Sequence, residues 1–117
     1  MATFSINDLS GATTGMGVKV VATASAGTTI HTAVAGTSDW DQIEMFAVNN
    51  DTTDRLLTIQ WGGTTTVDND IPRTIPAQSG MVPIVPPTLL QNGLVIRAYA
   101  AAANKIVIYG NVVRITA

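Results

Sequence analysis

Apolar residues in this chain recur at every second position, and no window of about eleven residues carries the three-to-four spacing of a helix. The clearest runs are TTIHTAV (28–34), QIEMFAV (42–48), RLLTIQW (55–61) and KIVIY (105–109), rich in β-branched and aromatic residues. A period of two sends successive side chains to opposite faces of a strand. It groups Ile30 with Thr32 and Val34, and Leu57 with Ile59 and Trp61, opposite Leu56, Thr58 and Gln60. QIEMFAV alternates less cleanly, which reads as burial on both faces. AYAAAAN (98–104) has the helical propensity of alanine but is short, and it reads as a turn between two strands.

The punctuation agrees. NNDTTD (49–54), GGTTTVDND (62–70) and the Asn-Gly of QNG (91–93) are turn or loop chemistry. The five prolines all lie between Pro72 and Pro87. Proline cannot donate to a ladder, so this region supplies edge strands or extended segments. About eight or nine short strands result, joined by loops of roughly 3–9 residues. With no intervening helices the sheets are antiparallel. The expected fold is all-β: an antiparallel two-sheet sandwich of jelly-roll type, in one domain spanning 1–117.

Residues 1–18 read as a short N-terminal arm and 19–117 as the sandwich. The arm has turn-forming Asn7-Asp8, three glycines (Gly11, Gly15, Gly17) and a few apolar anchors, Phe4, Ile6 and Leu9. Such a segment alone buries too little to offset an ordering cost of roughly 1–2 kcal/mol per residue. The competing reading is a first strand paired within its own sheet. The expected core is Ile30, Val34, Ile43, Met45, Leu57, Ile59, Val82, Ile84, Leu94, Ile96, Ile106, Ile108 and Val112. Segments 94–100 and 105–115 read as the last two strands, whose apolar content suits an inner face. Gly110 inside the final strand marks a bulge or a close backbone approach.

Charge is what this composition lacks. Charged residues make up 12% of the chain, against roughly 25% in an average soluble domain. A free monomer keeps itself soluble with mixed surface charge, so a deficit points to surface held against a partner. The net charge of -2 and the scattering of the six cations leave no basic footprint for nucleic acid. The absence of cysteine excludes disulfides and thiol chemistry. No secretory leader is expected from MATFSINDL. The longest apolar run, MVPIVPPTLL, is broken by three prolines and falls short of a membrane span of about 20 residues.

No motif for catalysis or metal binding emerges. His31, the only histidine, stands mid-strand on the face opposite Ile30 and Val34. No Gly-x-Ser-x-Gly elbow accompanies it, so it reads as a strand histidine that faces solvent or is held by hydrogen bonds. VDNDIP (67–72) opens like a calcium loop but lacks the glycine and distal glutamate of an EF-hand. GATTGMGVK (11–19) has no Gly-Lys-Ser/Thr end and is not a phosphate loop. Trp40 and Trp61 read as core or interface anchors. The expectation is a non-enzymatic chain with no catalytic, cofactor-binding or metal-binding residues. Its candidate partner contacts are Phe4, Ile6 and Leu9 on the arm, with Pro72, Pro76 and Pro83 on the proline-rich edges.

Three segments carry a family resemblance: WDQIEMFAVNNDTTDRLLTIQWGG (40–63), TIPAQSGMVPIVPPTLLQNGLVIRAYA (74–100) and NKIVIYGNVVRI (104–115). The succession of an apolar strand, an Asn-rich turn, a strand ending in Trp-Gly, an I-P-A-x-S-G corner and a closing I-x-I-Y-G-x-V strand resembles the small jelly-roll head decoration, or cement, proteins of tailed bacteriophages. The similarity covers roughly residues 28–116. It implies a virion structural protein, made in the host cytoplasm, that binds the outer surface of the head. There such proteins join neighbouring major capsid subunits, often as trimers, so the expected partners are the major capsid protein and, as a homotrimer, further copies of this chain. The alternative within the same texture is a β-sandwich module of a phage tail or fibre that binds a carbohydrate or a receptor.

Overall fold

A computed structural model describes residues 2–117. Nine strands and no helix make up these residues. The strands are β1 (Thr3–Asp8), β2 (Val18–Lys19), β3 (Thr28–Thr32), β4 (Trp40–Asn49), β5 (Arg55–Trp61), β6 (Asp70–Ile75), β7 (Met81–Leu90), β8 (Val95–Ala100) and β9 (Ile106–Thr116). One sheet runs β1-β9-β4-β7, with β2 also paired to β9; the other runs β3-β8-β5-β6. Every pairing is antiparallel. Chain order alternates between the sheets in the jelly-roll manner, so the expected sandwich is the observed fold.

Local chemistry makes the crossings. Asn92 and Gly93 both take φ of 66°, the left-handed pair that a tight Asn-Gly turn requires. Leu94 N–H closes that turn onto Gln91 C=O. Between β4 and β5 the buried Asn49 amide donates to the carbonyls of Thr53 (3.0 Å) and Ile75 (2.9 Å), while its oxygen accepts from Asp51 N–H. The alanine run after β8 is a turn, with Asn104 at φ 64°. The two proline-bearing strands, β6 and β7, are sheet edges, as a residue without an N–H demands.

The core lies between the sheets. Ile30, Ile43, Met45, Leu57, Ile59, Ile96, Ile106, Ile108 and Val112 are buried there, as expected from the period. Val82 and Ile84 pack on it only partly, and Leu94 is exposed because it ends the Asn-Gly turn. Val34 is also half-exposed, and the cause is a bulge. The β3–β8 register shifts between Thr29 and His31, so Ile30 and His31 both turn inward and Ala33 takes the place expected of Val34.

The N-terminal segment corrects the arm expectation. β1 forms an unbroken antiparallel ladder with β9, from Thr3 opposite Thr116 to Asp8 opposite Asn111. Leu9 then drops into the core at 1% exposure, and Val18 in β2 is buried beside Ile108. Leu9 is therefore a core residue, not one available to a partner. It packs against Gly110, where an added Cβ would meet the Glu44 carbonyl oxygen as well as Leu9 Cδ1 at 3.2 Å. Gly110 is thus a close approach and not a bulge against β4, since the β4–β9 register runs unshifted through it.

Candidate interaction surface

The two outer faces of the sandwich differ in kind. On the four-stranded sheet the outward positions are mainly polar: Thr74 beside Leu56, then Thr58 with Pro72 and Tyr99, then Gln60 with Asp70 and Arg97. Part of this polar face is covered by the chain itself. Gln60 is buried because its oxygen accepts from Gly27 N–H (2.9 Å) and its amide donates to Ser25 Oγ (2.9 Å). The sequence period groups Thr58 and Gln60 on one side of β5, away from Leu57 and Ile59; Gln60 is nevertheless buried, bonded to the 25–27 loop, and Thr58 is buried beside it.

The outer face of the five-stranded sheet is apolar. Register puts Phe4, Ile115 and Trp40 in one row across β1, β9 and β4. Ile6, Val113, Gln42 and Leu89 form the next, and Phe46, Tyr109 and Pro83 another. Val48, Val107 and Met81 close the far end. A polar row, Asp8, Asn111 and Glu44, runs between the first two apolar rows and the last two, and Lys19 stands beside Val107 at the β2 margin. Phe4 (69% exposed), Ile6 (82%) and Met81 (54%) are the most open of these side chains. Several large apolar side chains exposed together on one sheet face mark an interaction surface, where singly scattered ones would not.

A buried polar cluster lies beneath this face, at the end where Trp40 and Ile115 pair. Asp41 is fully buried. Its carboxylate accepts from Arg114 Nε (2.7 Å) and Nη2 (2.9 Å), from Val34 N–H (3.0 Å) and from His31 Nε2 (2.9 Å). Burial pushes the Asp41 carboxyl up, but the hydrogen bonds from Arg114 and His31, the Arg114 charge and the Val34 N–H outweigh it and hold the group below its ordinary value. Arg114 is shifted upward by its bonds to Asp41. His31 is 1% exposed, and its Nδ1 accepts from Ser10 N–H at 2.9 Å, which assigns the ring hydrogen to Nε2. Ser10 Oγ points elsewhere, accepting from Thr32 N–H at 2.7 Å. The contact between Ser10 and His31 therefore runs through backbone, not through a nucleophile–base pair.

Of the candidate contacts, Phe4 and Ile6 lie on the apolar face and Pro83 lies on it at the β7 edge. Pro72 and Pro76 are exposed at the β6 edge of the other sheet, away from it. The sequence reading missed Trp40, Phe46, Val113 and Ile115 as parts of one surface, although their alternation was visible. Among the described residues no pocket opens, and no three His, Asp or Glu side chains gather to hold a metal ion.

Fold and surface together define a jelly-roll sandwich with one polar and one apolar outer face. No family model, no curated protein and no solved structure matches the chain.

Proposed function

We propose that this chain is a structural binding module without catalysis of its own, and that it serves as a head decoration protein of a tailed phage. In this reading the outer face of the five-stranded sheet seats on the major capsid protein and joins adjacent subunits at the virion surface. The observation that carries the binding role is the uncovered apolar face spanning β1, β9, β4 and β7. The low charged fraction of 12% has the same cause, since strand positions that would carry lysine or glutamate on a free sandwich carry Phe, Trp, Ile and Val here. The sequence resemblance supplies the phage setting.

Mass spectrometry of purified heads, followed by a cryo-EM map, tests the reading. The expected result is the chain in stoichiometric amount on the outer shell, with β4 and β9 turned toward the capsid. Absence from heads, combined with retention on a glycan array, would replace the reading with a carbohydrate-binding one.

A further inference from the structure

We propose that two copies of this chain join through their β1 strands, edge to edge, about a two-fold axis normal to the five-stranded sheet. The inference concerns the edge of the sheet and not its face, so it stands whether or not a capsid is the partner.

The four sheet edges are not alike. β7 carries Pro83, Pro86 and Pro87, and its register against β4 shifts twice. β6 carries Pro72 at its second internal position, followed by Arg73. β3 has five residues and a bulge. Prolines, bulges, charges and shortness are the devices that keep edges from pairing. β1, Thr3–Asp8, has none of them along its length: no proline, no register shift against β9, and no charge before Asp8 at its end. It is also held in extended form with every side chain exposed. Its free edge is a template for a further strand, occupied within the chain only by the exposed Asn7 amide, which donates to Ser5 C=O at 3.4 Å and to Ser5 Oγ at 3.3 Å and would be displaced on pairing.

What fits that template is the same strand. A two-fold axis normal to the sheet keeps each residue on its own face, and residues directly opposite share a face. Only registers pairing residues of equal parity satisfy both conditions. The register centred on Ser5 pairs Thr3–Asn7 and leaves only the charged Asp8 outside the ladder. It sets Ser5 opposite Ser5 of the second copy, Phe4 opposite Ile6 and Thr3 opposite Asn7. The apolar pair falls on the apolar face and the polar pairs on the other, so the two patches fuse into one surface across the axis. Each β1 is used once, so the assembly closes at two. A contact of five residues a side falls in the weak class below about 1,200 Å² in total. A dissociation constant in the range of tens of micromolar is expected.

The natural absence of cysteine makes a direct test available. Opposed residues in an antiparallel pair lie about 4.5–5.5 Å apart at Cα, within the reach of a disulfide. Under mild oxidation S5C is expected to form a covalent dimer. T3C and N7C should each remain monomeric alone, yet cross-link when mixed. I6E leaves an exposed position exposed but sets a carboxylate against Phe4 of the second copy. It should weaken the dimer at least tenfold in sedimentation while keeping the circular dichroism and melting temperature of the parent. Three results would each overturn the proposal: N7C cross-linking alone as fast as S5C, parent protein that stays monomeric at about ten times the expected dissociation constant, or a trimer in sedimentation.

Discussion

Asp41 and Arg114 face each other across the β4–β9 ladder, and hydrogen bonds of 2.7 and 2.9 Å join the guanidinium to both carboxylate oxygens. The carboxylate titrates below its ordinary range in the folded chain. A lowered folded value means stability that is fully present above the unfolded value of about 4 and is lost as pH falls through the folded one. The melting temperature is therefore expected to fall steeply only below about pH 4. D41N should lower it at neutral pH, by about 2–4 kcal/mol of stability, and flatten the acid limb. A D41N profile parallel to the parent between about pH 5 and pH 2 would contradict the assignment.

Ile108 is fully buried near the start of β9, between β4 and β2. Ile108→Ala removes three heavy atoms from a packed core and is expected to cost about 2–5 kcal/mol in chemical denaturation. Val107, its neighbour in sequence, points to the apolar outer face. Val107→Thr should stay within roughly 1 kcal/mol. Equal losses at the two positions would mean that the outer face is covered within the monomer.

Leu9 and Phe4 divide the N-terminal segment. Leu9→Ala should destabilise by about 2–5 kcal/mol, since its side chain packs on Gly110 inside the sandwich. Phe4→Ala should cost less than about 1 kcal/mol in the isolated chain. Deleting residues 2–7 should leave a folded domain, whereas deleting 2–10 should not. Thermal melts of both truncations check this, and a folded 2–10 deletion would restore the arm.

Gly110→Ala places a methyl group against the Glu44 carbonyl oxygen and Leu9. Backbone on one side and a buried side chain on the other leave little room to yield. The expected cost is about 1–3 kcal/mol. A melting temperature equal to the parent would show that β4 and β9 can separate locally at this point.

These residues also show what the sequence makes legible. Strand periodicity, proline placement and the Asn-Gly turn are local, so the strands, the edges and the two-sheet architecture follow from them. The inward turn of both Ile30 and His31 does not, because a one-residue bulge resets the period without any residue that announces it. The burial of Gln60 goes with a loop more than thirty residues away, which reaches it through Ser25 and Gly27. The apolar C-terminal strand is the most instructive case. Ile106, Ile108 and Val112 face the core, while Val107, Tyr109, Val113 and Ile115 face outward. Pattern alone reads such a strand as inner-facing or buried on both sides; only the second sheet's position shows which half is left uncovered.

The account rests on the outer face of the five-stranded sheet as the docking surface. Trp40 lies on that face at 38% exposure, and Thr74 lies exposed on the outer face of the other sheet. The most direct measurement is the affinity of W40E and T74E for heads stripped of the chain, read by co-sedimentation with both variants confirmed folded. W40E is expected to bind at least tenfold more weakly, with T74E unchanged. Equal affinity for both, or a loss confined to T74E, would contradict it.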